Sequence, residues 1–275
     1  MANVSIADIK TLREQLGTGM VDTKKALEEA EGNLEKAIEI LRLKGAKGNA
    51  KRADRAATEG LVAGVTSEGS ATLIELACET DFVAKNDKFI ALAETVLQAV
   101  AAAGADGVEA ALQADANGKS VEQAIADEAA VLGEKVELRG ASTLSGDAFQ
   151  IYLHKTSKDL PPQVGVIVAY SGDDAETARS IAQHISFAAP QFLTRDEVPA
   201  DVVEKERDIV TEISRNEGKP DAALPKIVEG RVNAFFKQVV LLDQPYAKDN
   251  KLSIQKVADD AGISISGFAR FKVGA

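Results

Sequence analysis

Residues 60–100 read GLVAGVTSEGSATLIELACETDFVAKNDKFIALAETVLQAV. Two short apolar runs, 60–66 and 71–78, flank the turn Ser67-Glu68-Gly69-Ser70, the pattern of a β-hairpin. The polar loop ETDFVAKND then leads into a segment where Phe89, Leu92, Ala93, Val96 and Val100 fall on one helical face. The same order recurs downstream. AFQIYLH at 148–154 and QVGVIVAY at 163–170 repeat the strand pair, and 174–189 supplies a helix with Ile181, Ile185 and Ala188 on one face. A ββα unit written twice predicts two related subdomains, each an antiparallel sheet backed by helices. The Ala-rich stretch 97–131 reads as helix between them.

Upstream, Ile6, Ile9, Leu12 and Leu16 recur at helical spacing as far as Gly17-Thr18-Gly19. Thr18 is placed to cap a second helix with Ala26, Leu27 and Ala30, closed by Gly32. Asn33 caps a third with Leu34, Ala37, Ile38 and Leu41. Connections this short force a compact bundle, too small to bury much surface and suited to docking rather than catalysis. The basic stretch 42–55 (Arg42, Lys44, Lys47, Lys51, Arg52, Arg55), with Gly45 and Gly48 inside it, reads as a linker or a frayed helix end.

Farther on, Val202, Val203, Ile209, Val210 and Ile213 run along one helix, and Leu224, Ile227, Val228, Phe235 and Val239 along another. Glu217-Gly218-Lys219-Pro220 separates them, which predicts a helical hairpin with one apolar seam. Final strands are expected at 239–246 and 267–274. The predicted fold is therefore α+β. A three-helix docking module and basic linker (1–55) precede a first core subdomain (56–140) and a second (141–275), the hairpin being inserted at about 196–240.

Composition narrows the function. The 275 residues carry a net charge of −11, which argues against a global grip on nucleic acid, since phosphate binding needs a basic face. A single cysteine excludes a disulfide framework, and one Cys with two His does not make an ordinary structural zinc site. The start, MANVSIADIK, lacks a basic-then-apolar leader, and no apolar run is long enough to span a membrane, so a cytoplasmic chain is expected.

Gly118-Lys119-Ser120 suggests a phosphate loop, but position 113 is Gln and no apolar strand precedes it. An ordinary turn is expected there. Gly17-Thr18-Gly19 fails as a dinucleotide fingerprint because Asp22 stands where the third glycine belongs. Cys78 with His154 or His184 would make a nucleophile–base pair only with a third orienting group, and Cys78 ends an apolar strand where free cysteine is usually a small buried hydrophobe. Thr80-Asp81-Phe82-Val83 differs in kind. A Phe at a polar loop tip is costly unless it folds back onto its own subdomain or enters a partner. The residues by themselves leave both open.

Three ordered stretches carry a resemblance: LREQLGTGMVDTKKALEEAEGNLEKAIEILRLKG, CETDFVAKNDKF, and VVEKERDIV…NEGKP…KIVEGRVNAFFKQVVLLDQPY. Together they resemble the bacterial elongation factor Ts family, guanine-nucleotide exchange factors of elongation factor Tu, over essentially the whole chain. The resemblance implies a ubiquitin-associated-type N-terminal bundle, a two-subdomain core, and a protruding hairpin. It implies a heterodimeric complex with elongation factor Tu, with no cofactor or metal of its own and no direct contact with nucleic acid or membrane. Thr80, Asp81, Phe82 and Val83 match the segment that displaces the partner's Mg²⁺. Leu132 and His154 match further contact positions. No residue is catalytic in this reading. Two rivals of other classes are a thiol enzyme built on Cys78 and an acidic chaperone-like binder using hairpin and bundle without touching nucleotide exchange.

Overall fold

The structure, a computed structural model, describes residues 4–16 and 18–275, apart from the side chains of Glu14 and Gln15. Helices α1 (Ile6–Leu16), α2 (Met20–Glu29) and α3 (Leu34–Arg52) form the expected bundle. Leu12, Ala26, Leu27, Ala30, Ala37 and Leu41 close its core. Ile6, expected on the buried stripe, is exposed instead. Asn33 caps α3 by accepting from Lys36 N–H at 3.0 Å. Thr18 does not cap α2, whose N-cap is Gly19; its hydroxyl pairs with that of Thr23 at 2.7 Å. The expected helix stop at Gly17 lies outside the described residues.

The basic stretch, expected as a linker or a frayed helix end, is the regular end of α3 and stays helical through Arg52. The reason is contact with the core. A Cβ at Gly45 would lie 2.8 Å from the Ala130 Cβ, so the glycine permits close helix approach rather than flexibility. Asn49 Nδ2 adds a 2.8 Å bond to Ala126 O.

Strands β1 (Glu59–Ser67) and β2 (Ser70–Cys78) form the first hairpin. After β2 come a one-turn helix α4 (Asp81–Ala84), α5 (Asp87–Ala103), α6 (Val108–Gln113) and α7 (Val121–Leu132). The chain then returns as β3 (Val136–Ser145), which pairs with β2 and completes a sheet of order β1-β2-β3. The division expected at 140 falls inside β3, so the first unit runs on to Ser145. The second unit is β4 (Ala148–His154), β5 (Val164–Ser171) and α8 (Ala175–Ala188). The hairpin α9 (Ala200–Asn216) and α10 (Leu224–Val239) follows, closing on Val210, Val228 and Val232.

The strand expected at 239–246 is corrected. Val239 ends α10, residues 241–243 make a 3-10 turn, and only Pro245–Tyr246 remain as β6. This pairs with β7 (Asp249–Ser253), ahead of α11 (Ile254–Asp260). Strand β8 (Ser264–Lys272) then pairs with β5, giving the order β4-β5-β8.

The two sheets stack face to face. Leu61, Ile74 and Leu76 face outward onto Phe89, Val96 and Ile125, while Val166, Val168 and Tyr170 face outward onto Ile181, Ile185 and Ile254. Between the sheets lie Val62, Leu73 and Ile167 with Phe149, Ile151 and Phe271. Both central strands are thus covered on two sides, which explains their near-continuous apolar runs. No helix among the described residues is long and apolar enough to cross a membrane.

Candidate partner-binding site

Cys78 registers against Glu59 on one side and Val136 on the other, so the loop after β2 leaves from that end of the first sheet. In the second sheet Val164 registers against His154 and Lys272. Val62 N–H donates to Pro162 O at 2.8 Å, and at the other end a Cβ on Gly146 would lie 3.5 Å from the Ala169 Cβ. These two anchors place the Cys78 end over the His154 end. The loop 79–86, the C-terminus of α7 with Leu132, and His154 therefore share one end of the sandwich.

The sequence TDFVA folds locally as a capped turn. Thr80 has extended backbone angles, and its hydroxyl oxygen accepts from Val83 N–H at 3.4 Å. One helical turn then separates the pairs: Val83 and Ala84 are buried, and Phe82 is 74% exposed. Phe82 does not plug its own subdomain. Lys85 holds the outward pair, its Nζ lying 3.2 Å from Asp81 Oδ2 and 4.8 Å from the Phe82 ring centroid.

Below this turn two carboxylates fix the backbone. Glu134 takes both donors of Thr80, the amide at 3.0 Å and the hydroxyl at 2.7 Å. Glu79 accepts from Lys135 N–H at 2.7 Å and from Arg55 Nη1 at 3.2 Å. The Lys135 N–H bond first, with the Arg55 guanidinium, holds the Glu79 carboxyl below the ordinary glutamate range. Sequence reasoning missed this framework. Glu134 is 54 residues from Thr80, and the sole local signal is its place between the αL cap Gly133 and a strand.

Of the expected contact residues, Asp81 and Phe82 point outward, Thr80 faces its clamp, and Val83 is an anchor. Leu132 is half-buried against the first core, two residues before Glu134. His154 is exposed at the end of β4, and its Nδ1 sits 3.0 Å from Tyr152 Oη. It edges an open cavity of about 580 Å³ bordered by His184, Phe187, Tyr246 and Arg270. His184 itself is buried mid-helix with Nε2 on Gln244 Oε1 at 2.8 Å, a structural histidine.

The alternatives lose their chemistry here. Cys78 is fully buried, donates to Thr80 O at 3.3 Å, and has its thiol pushed up to about 12, by burial first and by neighbouring Glu134 next. Such a thiol is not a nucleophile at neutral pH. Residues 118–120 are a turn: Gly118 N–H meets Asp115 Oδ1 at 2.9 Å, Lys119 pairs with Asp127 at 2.7 Å, and Ser120 caps α7. Among the described residues no cluster of three or more His, Cys, Asp or Glu is placed to hold a metal ion.

Comparison with known proteins agrees with the sequence motifs. The profile of the family described as Elongation factor TS matches residues 79–275. The protein named Elongation factor Ts from Leifsonia xyli subsp. xyli is 70% identical over 276 residues, covering all of both chains. Proteins of the same name from Micrococcus luteus and Tropheryma whipplei are 54% and 52% identical, again with both chains fully covered. With the profile matching residues 79–275 and the relatives matching the chain from end to end, the chain belongs to the elongation factor Ts family.

Proposed function

We propose that this chain is a translation elongation factor that drives GDP release from elongation factor Tu by stabilising its nucleotide-free form. Family membership carries the coarse reading. The finer one rests on one observation: an aromatic ring 74% exposed on a loop whose backbone is tied down beneath it. A flexible loop would bury its Phe; a tied one presents it at little ordering cost.

The mechanism follows from linkage. A GTPase holds GDP through its phosphates and the bridging Mg²⁺. A factor that binds the Mg²⁺-free, empty form more tightly than the filled form must lower GDP affinity by the same ratio. Phe82 is the wedge in this reading, entering beside the partner's Mg²⁺ site, and Asp81 fixes its approach. Thr80 and Val83 hold the turn. Leu132 and His154, at the same end of the sandwich, extend the contact, while the bundle at 1–55 and the hairpin at 196–240 dock elsewhere on the partner. The factor needs no cofactor, contacts neither nucleic acid nor membrane, works in the cytoplasm and performs no bond chemistry.

Release of a fluorescent GDP from elongation factor Tu tests the reading. Addition of this chain should accelerate release and GDP should not bind the isolated chain; unaltered release would overturn the proposal.

A further inference from the structure

The loop's shape is imposed from outside it. Residues 80–84 make a single helical turn, too short to be stable alone. What holds it is a pair of carboxylates at its start, one gripping Thr80 and the other being the side chain of Glu79 itself. Glu134 bonds the Thr80 amide and hydroxyl at 3.0 and 2.7 Å, and the Thr80 hydroxyl, with its proton so committed, offers its lone pair to Val83 N–H. Glu79 closes the other side on Lys135 N–H, the residue next to Glu134. Both grips converge on the turn between α7 and β3.

We infer that Glu134 is the positioning residue of the exchange loop: through Thr80 it presets the turn that turns Asp81 and Phe82 outward and Val83 inward. This inference rests on the reading that the loop acts on elongation factor Tu. Glu134 itself need not touch the partner. Its effect is to remove, before the encounter, the conformational freedom that the loop would otherwise lose on insertion. Loss of the clamp should therefore slow the insertion step while leaving the docking surfaces intact.

The test uses the full chain and elongation factor Tu loaded with fluorescent GDP, with wild type, Glu134→Ala, Glu134→Asp and Phe82→Ala compared side by side. In the isolated chain, Glu134→Ala should raise amide hydrogen exchange at 80–84 by roughly tenfold or more, as expected for losing two hydrogen bonds to a charged acceptor. The maximal rate of GDP release should fall about tenfold, with the half-saturating concentration of factor changed less than about twofold, because docking elsewhere persists. Glu134→Asp keeps the charge but withdraws it from reach, so it should behave as the Ala variant does. A wild-type Asp variant would assign the effect to charge and overturn the clamp. If Phe82→Ala slows release while both Glu134 variants release GDP like wild type, positioning is wrong and the loop's role stands. If Phe82→Ala also has no effect, the reading of the loop itself falls. Should Glu134→Ala fail to fold, Glu134→Met decides: it fills similar space but offers the Thr80 amide and hydroxyl no strong acceptor, so unchanged hydrogen exchange at 80–84 in that variant would overturn the inference.

Discussion

The two ββα units leave their second strands in different ways. Between Ser171 and α8 the chain needs only Gly172, Asp173 and Asp174, whereas between Cys78 and α5 it spends residues 79–86 and makes an extra helical turn. The short connection is self-contained: Gly172 takes φ +104°, and Asp174 caps α8 on the amide and hydroxyl of Thr177, both at 2.9 Å. The long one is held by Glu134 and Lys135 from another part of its unit and by Arg55 from the start of the chain. Because β1 runs alongside β5, the two connections emerge at opposite ends of the sandwich. Each solves the same topological problem. Only the longer presents an aromatic ring to solvent, the feature on which the proposed recognition role rests, while the short turn simply closes its unit.

The change expected to separate them most is Phe82→Ala. An aromatic anchor at an interface hot spot contributes about 2–4 kcal/mol, and losing 2–3 of these slows GDP release roughly 30- to 150-fold. With the ring exposed, the thermal midpoint should stay at the wild-type value. A variant that melts early and loses binding and exchange together would return Phe82 to its own core and erase the contrast.

The opposite pattern is expected of Gly172→Val. A Cβ there would lie 2.6 Å from Gly262 O, at a φ that β-branched residues avoid. Urea titration should show a loss of about 2–3 kcal/mol, with exchange activity per folded molecule unchanged. Impaired exchange at full folding would mean that the short connection also takes part in recognition.

How far the sequence showed this depends on where burial leaves a mark. β1, β2, β4 and β5 were legible because two-sided or hairpin burial writes apolar runs bounded by turn residues. β3 was not: Val136, Leu138 and Ala141 are buried among Glu, Arg, Gly, Ser and Thr, so the edge strand's pattern is diluted. Gly45 and Gly48 read as breakers because each costs a helix about 1 kcal/mol, a cost that the close approach to α7 at Gly45 helps to offset. Val239 to Leu242 looked like strand from their β-branched and apolar side chains, but the hairpin's second helix claims the first of them. For the site, the sequence supplied Phe82 without its direction. Direction depends on Val83 and Ala84 being buried and on Glu134, a partner distant in sequence, and no local pattern encodes either.

Acid should act on one unit before the other. Both histidines lie in the second unit. Burial keeps His184 below its ordinary value of 6.5, since the charged imidazolium loses solvation there. Its Nε2 proton is already given to Gln244, so a second proton goes to Nδ1, which is buried without a partner. Below pH 6.5 the unfolded chain takes up a proton that the folded chain resists, so stability falls with pH. The slope is at most about 1.4 kcal/mol per pH unit for one group. Urea midpoints from about pH 7.5 to about 5.5 should show it, and His184→Gln should flatten it. A slope retained in that variant would place the acid sensitivity elsewhere.

The smallest effect is expected at the meeting point of the two units. His154 belongs to the second unit but lies at the same end of the sandwich as the first unit's long connection, so in the proposed function it would extend the contact from a strand end rather than a loop. Its ring is exposed, and its contact within the chain is the Tyr152 hydroxyl at 3.0 Å. Truncation to Ala therefore leaves no buried group unpaired and removes no core volume, and the thermal midpoint should not move. At an interface rim a polar side chain is worth about 1 kcal/mol or less, because solvent replaces much of what it loses. GDP release should slow by roughly fivefold at most, through weaker complex formation rather than a lower maximal rate, since the ring would add contact without wedging the nucleotide site. That split distinguishes it from Phe82. A fall in maximal rate as large as that of Phe82→Ala would make the strand end part of the wedge. An unchanged rate and affinity would confine recognition to the long connection and leave the second unit to closure alone.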